Sequence, residues 1–342
     1  MATLVVVLDP ARPDPQQIRR AGTRLRQGDL VAFPTETVYG LGANALDPLA
    51  VRRIFQAKGR PGTNPLIVHL ADAQQVKAVV SEWPASAARL AKQFWPGPLT
   101  LILPRLAVVP DEVTAGRNTV GVRVPAHPLA LAVIRAAGVP VAAPSANRSN
   151  HLSPTEAKHV LADLDGRIDL ILDGGPTPGG LESTVLDLTV SPPRILRPGL
   201  VTRSALEPVI GEVEEGRRAG ESLSSSSALP SPGMLPRHYA PQTLLECVEG
   251  DLERRGEELL RQGQRVVCVR FGGVSSREGE VILPAEPRAS AVQLYAVLHQ
   301  LDAGGYDRIL VELPPDTEPW RAIRDRLLRG SLRPQGGLRD PL

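Results

Sequence analysis

The sequence predicts an α/β protein of two unequal domains: a larger N-terminal one on a mixed, twisted sheet, and a smaller C-terminal one in which strands and helices again alternate. Three observations predict it. Short apolar runs of strand length alternate with helical stretches, the pattern of layered α/β folds. The 34 prolines and 31 glycines cut the chain into short elements with uneven strand spacing, which favours a mixed sheet over a regular doubly wound one. From residue 211 to about 236 the apolar periodicity gives way to charged, Gly-, Ser- and Pro-rich sequence, with serines at each position of 224–227, as expected of a linker. At 342 residues the chain exceeds one hydrophobic core. The expected division is therefore residues 1–210, a linker or lid at 211–241, and 242–342.

In chain order, residues 1–9 read as a short strand, since they lack the basic start and cleavage region of a signal peptide. Asp14-Pro15 and Asp47-Pro48 read as helix starts, the acid capping and proline occupying the first turn. Apolar runs predict strands at 30–33, 66–70, 99–103, 120–124, 139–143, 170–172 and 185–188. Ser153-Pro154-Thr155-Glu156 has capping-box spacing and predicts a helix opening at Ser153. Beyond the linker, strands are expected at 243–248, 266–271 and 309–313, with helices near 252–262 and 291–301. Residues from 333 onward read as a frayed tail.

Composition excludes several classes. With 42% hydrophobic and 22% charged residues the chain is globular, not disordered. No apolar run approaches the roughly 20 residues that span a bilayer. Cys247 and Cys268 are the only cysteines and form no Cys-x-x-Cys pair, which argues against a disulfide framework or a cysteine-rich zinc site and for a reducing, cytoplasmic setting. A formal charge of +2 is too small to signal nucleic-acid binding by itself.

The candidate chemistry lies in a few polar clusters. Residues 33–42, Phe-Pro-Thr-Glu-Thr-Val-Tyr-Gly-Leu-Gly, run from a strand into a polar turn and then glycines. Thr35 and Thr37 either face a ligand there or satisfy turn backbone groups. Residues 58–65, Lys-Gly-Arg-Pro-Gly-Thr-Asn-Pro, place two cations in a loop shaped by Gly and Pro. That suits a phosphate clamp, with arginine a planar fork and lysine a point charge; it also suits an ordinary basic helix end. Neither a Walker A loop nor a Gly-x-Gly-x-x-Gly fingerprint is present, so a nucleotide site must be built differently.

His69 shares a strand face with Ile67, where a lone histidine is more often structural. Arg123, in Thr119-Val120-Gly121-Val122-Arg123, shares a face with Thr119 and Gly121 and calls for an internal carboxylate or, by preference, a bound anion. Ala142-Ala143-Pro144-Ser145-Ala146-Asn147 leads a small-residue strand into a loop whose Ser145 and Asn147 suit phosphate, ribose or base. Ser153 suits an anion as well as a helix cap. A glycine-rich loop at 174–184 delivers Ser183 to a strand, and Arg197 is a further isolated cation. Ser/His/Asp and His-x-x-x-His patterns are absent, so positioning and charge stabilisation are the expected chemistry.

In this order over about residues 30–199, these clusters resemble the YrdC-like L-threonylcarbamoyladenylate synthases, in the long form with an additional C-terminal domain. Lys-x-Arg, Asn-Pro-Leu-Ile-Val-His, Trp95-Pro96-Gly97-Pro98-Leu99-Thr100, Pro-Ser-Ala-Asn and Glu-Ser-Thr belong to the match, and Arg237-His238-Tyr239-Ala240-Pro241 is similar to the family's linker motif. The resemblance implies a YrdC-like mixed sheet with helices, then a Rossmann-like α/β domain. It implies a nucleotidyltransferase that condenses L-threonine, bicarbonate and ATP, with Mg2+, to threonylcarbamoyladenylate and pyrophosphate. The product feeds the N6-threonylcarbamoyl modification of adenosine 37 in tRNA through a downstream threonylcarbamoyltransferase.

By matching motifs, Thr37, His69, Arg123, the Ala143 backbone and Ser183 are expected to hold threonine. Arg60, Asn64, Thr119, Ser145, Ser153, Arg197 and Tyr239 are expected to contact ATP, and Lys58, Arg60 and Asn147 to serve catalysis. No metal ligand is assigned. Residues 320–329 match the family's ending only loosely, so the C-terminal domain is given no ligand. Two other readings compete. One is a carbamoyladenylate-forming carbamoyltransferase of the hydrogenase-maturation type, whose longer chains carry zinc-finger cysteines and an acylphosphatase segment that this chain lacks. The other is a double-stranded-RNA or ribosome-binding module with direct RNA contact through a basic concave face, which low charge and 3% aromatics support little.

Overall fold

The computed structural model describes residues 2–216, 238–273 and 279–331. Among them, eleven strands form one large sheet: β1 (Leu4–Val7), β2 (Val31–Pro34), β3 (Tyr39–Asn44), β4 (Ile67–His69), β5 (Leu99–Pro104), β6 (Thr119–Arg123), β7 (Val141–Ala142), β8 (Leu170–Asp173), β9 (Thr184–Asp187), β10 (Arg194–Arg197) and β11 (Glu214–Glu215). The order is β1-β8-β2-β3-β7-β4-β6-β5-β9-β10-β11. Parallel pairs such as β4 with β6 alternate with antiparallel ones such as β2 with β3, so the sheet is mixed, as the strand spacing predicts.

Helices α1 (Pro15–Arg26), α2 (Pro48–Lys58), α3 (Ala85–Phe94), α4 (Asp111–Thr114), α5 (Pro128–Ala137), α6 (Ala157–Leu164) and α7 (Arg203–Ile210) connect these strands. The two Asp-Pro starts cap as expected: Asp14 Oδ1 accepts from the Gln16 amide at 2.8 Å, and Asp47 Oδ1 from the Leu49 amide at 2.9 Å. Leu25 and Val133, from α1 and α5, share one core with Phe33 and Leu172. Ile54, Leu90, Val160 and Leu206, from four other helices, share a second with Leu41 and Val68. Sheet burial is thus shared between two apolar layers.

The C-terminal domain is a four-stranded, wholly parallel sheet ordered β12-β15-β13-β14, from β12 (Leu244–Val248), β13 (Val266–Phe271), β14 (Glu280–Leu283) and β15 (Arg308–Glu312). Helices α8 (Leu252–Arg261), α9 (Pro287–Asp302) and α10 (Arg321–Gly330) accompany it. One apolar cluster joins the two sheets: Val38, Leu152 and Leu181 pack with Tyr239, Tyr295, Leu298 and Leu327. Each fully buried leucine there is worth roughly 2 kcal/mol of transfer free energy, which makes the junction a packed core.

Several expectations need correction. The helix after Ser153 begins only at Ala157, with Glu156 at the cap and no side-chain cap bond, because the Ser153 hydroxyl donates to Glu182 instead. The expected strand at 139–143 is reduced to Val141–Ala142, and β3, β10, β11 and β14 were not foreseen. Most of the expected linker or lid, residues 217–237, lies outside the described residues, as does the expected tail from 333.

Candidate active site

A cleft opens where β3, β4, β6 and the 143–145 loop meet the 182–183 turn and Tyr239. Of the predicted site residues, Thr37, Arg60, His69, Arg123, Ala143, Ser145, Ser183, Arg197 and Tyr239 line it. Lys58, Asn64, Thr119, Asn147 and Ser153 do not.

The threonine turn feeds one wall. Thr35 Oγ1 donates to the Val38 carbonyl at 2.7 Å and accepts from the Thr37 amide at 3.1 Å, so Thr35 satisfies the turn. Thr37 Oγ1 accepts from Arg123 Nη2 at 3.1 Å. Arg123, 3% exposed at the end of β6, also donates Nε to the Gly97 carbonyl at 3.2 Å and pairs Nη2 with Glu36 at 2.6 Å. Of the two partners the sequence allows, Glu36 supplies the internal carboxylate at Nη2, and Nη1 has no hydrogen-bond partner among the described residues. His69 pairs in register with Arg123, its Nδ1 3.3 Å from the Ile67 carbonyl. Burial first, and then the Arg123 charge, push its pKa down to about 3, so the ring is neutral near pH 7.

The second wall comes from α2. Gly59 ends that helix in the left-handed region, φ 59°, where glycine is unstrained. The reversal carries Arg60 into the cleft. Its Nε donates to the Asn64 carbonyl at 3.1 Å and its Nη2 to the Pro65 carbonyl at 2.8 Å, and burial lowers its pKa to about 9. Lys58 stays behind the wall: its ammonium bonds the Ser145 carbonyl at 2.5 Å and the Asn147 carbonyl, cross-linking the Pro-Ser-Ala-Asn loop. Burial, then the Arg60 charge, hold that amine well below its usual pKa.

Asn147 donates to the Arg148 and His151 carbonyls at 3.0 and 2.8 Å, which shapes the following turn. The buried Asn64 side-chain amide has no hydrogen-bond partner among the described residues. Thr119, at the far end of β6 from Arg123, lines a separate smaller recess with Pro65 and Gly121.

The third wall was only partly foreseen. Ser183 Oγ lies 2.8 Å from Thr100 Oγ1 and accepts from Arg197 Nη2 at 3.1 Å, while Arg197 Nε donates to the Ser183 carbonyl at 3.1 Å. Glu182, to which no role was assigned, lines the cleft. Burial opposes its ionisation, but the Arg326 and Arg197 guanidiniums outweigh it and hold the carboxyl below its usual range. Tyr239 is 1% exposed, sits at φ 61°, and has an unpartnered hydroxyl among the described residues. A non-glycine residue in that region costs of order 1 kcal/mol, so its surroundings hold it there. His238, also lining the cleft, packs edge-on against the Tyr239 ring at 3.9 Å. Thr100, Glu182, His238 and Glu36 were missed as a group; each stood within or beside a quoted motif.

Buried arginines, hydroxyls and a neutral imidazole surround one cleft of an α/β protein, and His238 and Tyr239, from beyond the large sheet, complete its lining. A family model described as telomere recombination matches residues 23–199, and one described as threonylcarbamoyl-AMP synthase, C-terminal domain, matches residues 201–331. The chain is 46% identical to the threonylcarbamoyl-AMP synthase of Pyrococcus abyssi, over 92% of this chain and 94% of that one. It is 45% identical to that of Bacillus subtilis, over 96% of each. The crystal structure of P. abyssi Sua5 complexed with L-threonine superposes with a TM-score of 0.89 at 43% identity, covering 96% of this chain and 98% of that one. The chain belongs to the threonylcarbamoyl-AMP synthase family.

Proposed function

We propose that this chain is a threonylcarbamoyl-AMP synthase that condenses L-threonine, bicarbonate and ATP to threonylcarbamoyl-AMP and pyrophosphate. The observation that carries the reading is Arg123: a buried guanidinium with Nη2 fixed by Glu36 and Thr37, and Nη1 left for a ligand at the cleft. That geometry suits the carboxylate of an amino acid. Thr37, Ser183, the Ala143 backbone and the neutral His69 then surround the threonine side chain and amine. The amine attacks bicarbonate and water leaves, giving a carbamate; a carbamate oxygen then attacks the α-phosphate of ATP while pyrophosphate leaves.

Nothing in that sequence requires a covalent enzyme intermediate. Arg60 and Arg197 supply fixed positive charge for the phosphates, with Ser145 and Tyr239 at the nucleotide. Losing one such preorganised donor typically costs about 3–4 kcal/mol of barrier. Lys58 and Asn147 act through the loop they hold, while Asn64, Thr119 and Ser153 belong to the nucleotide side. The proposed division is 1–210 for the catalytic domain, 211–241 for the connection and 242–342 for the C-terminal domain. The product is consumed by a separate threonylcarbamoyltransferase acting on tRNA, in the cytoplasm.

Magnesium accompanies ATP in this reading. A resident ion does not fit the donor set: among the described residues no three His, Cys, Asp or Glu side chains gather as a metal site, and Glu182 is taken by Arg326. No residue is assigned to it. Among the described residues, no helix is long and apolar enough to cross a membrane. Threonine-dependent ATP–pyrophosphate exchange in the presence of bicarbonate tests the reading; exchange indifferent to threonine, or driven by carbamoyl phosphate, counts against it.

A further inference from the structure

The C-terminal domain reaches the cleft wall with a buried cation. Arg326, on α10, is 1% exposed and heads the fully buried side chains by size. Its Nε donates to Glu182 Oε2 at 2.7 Å, its Nη2 to the Pro198 carbonyl at 2.9 Å, and its Nη1 to Asp325 Oδ2 at 2.7 Å. Its guanidinium also lies 4.9 Å from the centre of the Tyr239 ring. Three of these partners belong to the site: Glu182 precedes Ser183, Pro198 follows Arg197, and Tyr239 lines the cleft. The fourth, Asp325, is shared with Arg329 Nε at 2.9 Å, so it does not cancel the charge that Arg326 offers to Glu182.

Glu182 is the reason such a charge is needed. It is a carboxylate at 7% side-chain exposure in the wall of a cleft whose other charged groups are cationic. It accepts from Ser153 Oγ and lies 3.3 Å from the Tyr295 hydroxyl, so its position is fixed from both domains. Left unpaired, a fixed anion there would repel a polyphosphate. We propose that Arg326 is a positioning residue of the nucleotide site: it neutralises Glu182 and anchors the Glu182–Ser183 and Arg197–Pro198 turns, so the C-terminal domain sets ATP affinity without touching ATP. This rests on the reading of the cleft as the site of ATP.

The test uses the full-length protein and the variants R326M, R326K, E182Q and R326M/E182Q. Measured are KM for ATP and for threonine, kcat, the unfolding midpoint, and calorimetric ATP binding without threonine. R326M is expected to raise KM for ATP by about tenfold or more while KM for threonine stays within about twofold. R326K, which keeps the charge and loses the fork, should recover most of that loss. E182Q should lower the unfolding midpoint yet leave KM for ATP unchanged or reduced, because an uncompensated cation then faces the phosphates. The double variant should bind ATP better than R326M.

An Arg326 that merely glues two domains predicts otherwise. ATP binding weakened by E182Q in step with its lost stability, or both KM values rising alike in R326M, overturns the proposal. If R326M fails to fold, the signs of the ATP shifts in E182Q and R326K decide. ATP binding that responds as stated in a protein making no threonylcarbamoyl-AMP refutes the functional reading only. Synthesis that proceeds with ATP binding indifferent to Arg326 refutes this inference only.

Discussion

Replacing Tyr239 with Phe is expected to strengthen the ligand-free fold and weaken ATP binding. The ring is 1% exposed, packed edge-on by His238 at 3.9 Å and capped by Arg326 at 4.9 Å, and phenylalanine keeps all of those contacts. What the substitution removes is a buried hydroxyl with no partner among the described residues. An unsatisfied group of that kind costs about 1–3 kcal/mol, and since no cavity is created, stabilisation of roughly 1 kcal/mol is expected. If the hydroxyl is reserved for the nucleotide, its loss removes one hydrogen bond, about 1 kcal/mol or roughly fivefold in Kd. Urea unfolding of the free protein and calorimetric ATP titration read the two effects separately. A variant less stable than the wild type, with unchanged ATP affinity, would refute the reasoning.

Other perturbations separate the remaining roles. Arg123→Lys keeps a charge beside Glu36 but loses the fork, and should raise KM for threonine by about 10- to 100-fold while changing that for ATP little, by steady-state kinetics with each substrate varied. Lys58→Met leaves the Ser145 and Asn147 carbonyls without their shared donor. It should destabilise the fold by about 1–3 kcal/mol in denaturant melts and lower kcat/KM for both substrates, since the loop serves both. Acid should weaken the fold through His159, which stacks on His299 with ring centres 3.9 Å apart. Burial first, and then His299 and Lys158, depress the His159 pKa to about 3. Its stabilising contribution is complete above the unfolded value near 6.5 and is lost as pH falls from there toward 3, at about 1.4 kcal/mol per pH unit. Urea midpoints between pH 7.5 and 5.5 should fall, and less so in His159→Phe; equal slopes would refute the assignment.

What the sequence disclosed was local. The Asp14 and Asp47 caps act within two residues of themselves, and the hydrophobic strands carry their own periodicity. What stayed hidden was decided at a distance. Ser153 has capping-box spacing, yet its hydroxyl is taken by Glu182, 29 positions away in sequence, and the helix starts later. Strand β3 looked like a glycine turn because its glycines serve packing: a Cβ at Gly42 would lie 2.7 Å from the Phe33 ring. The cation cluster around Arg60, Arg123 and Arg197 was legible by residue type, but Glu36 and Glu182 acquire meaning only from the arginines opposite them. Arg326 lies 144 positions from its carboxylate, beyond the reach of any local pattern.

The most direct test of the central claim supplies the purified protein with ATP, magnesium, L-threonine and labelled bicarbonate, and follows pyrophosphate together with the labelled adenylate. Label in a threonylcarbamoyl-AMP product, with matching pyrophosphate and strict dependence on threonine, is the predicted result. Pyrophosphate release that does not require threonine, or label that enters only from carbamoyl phosphate, would contradict it.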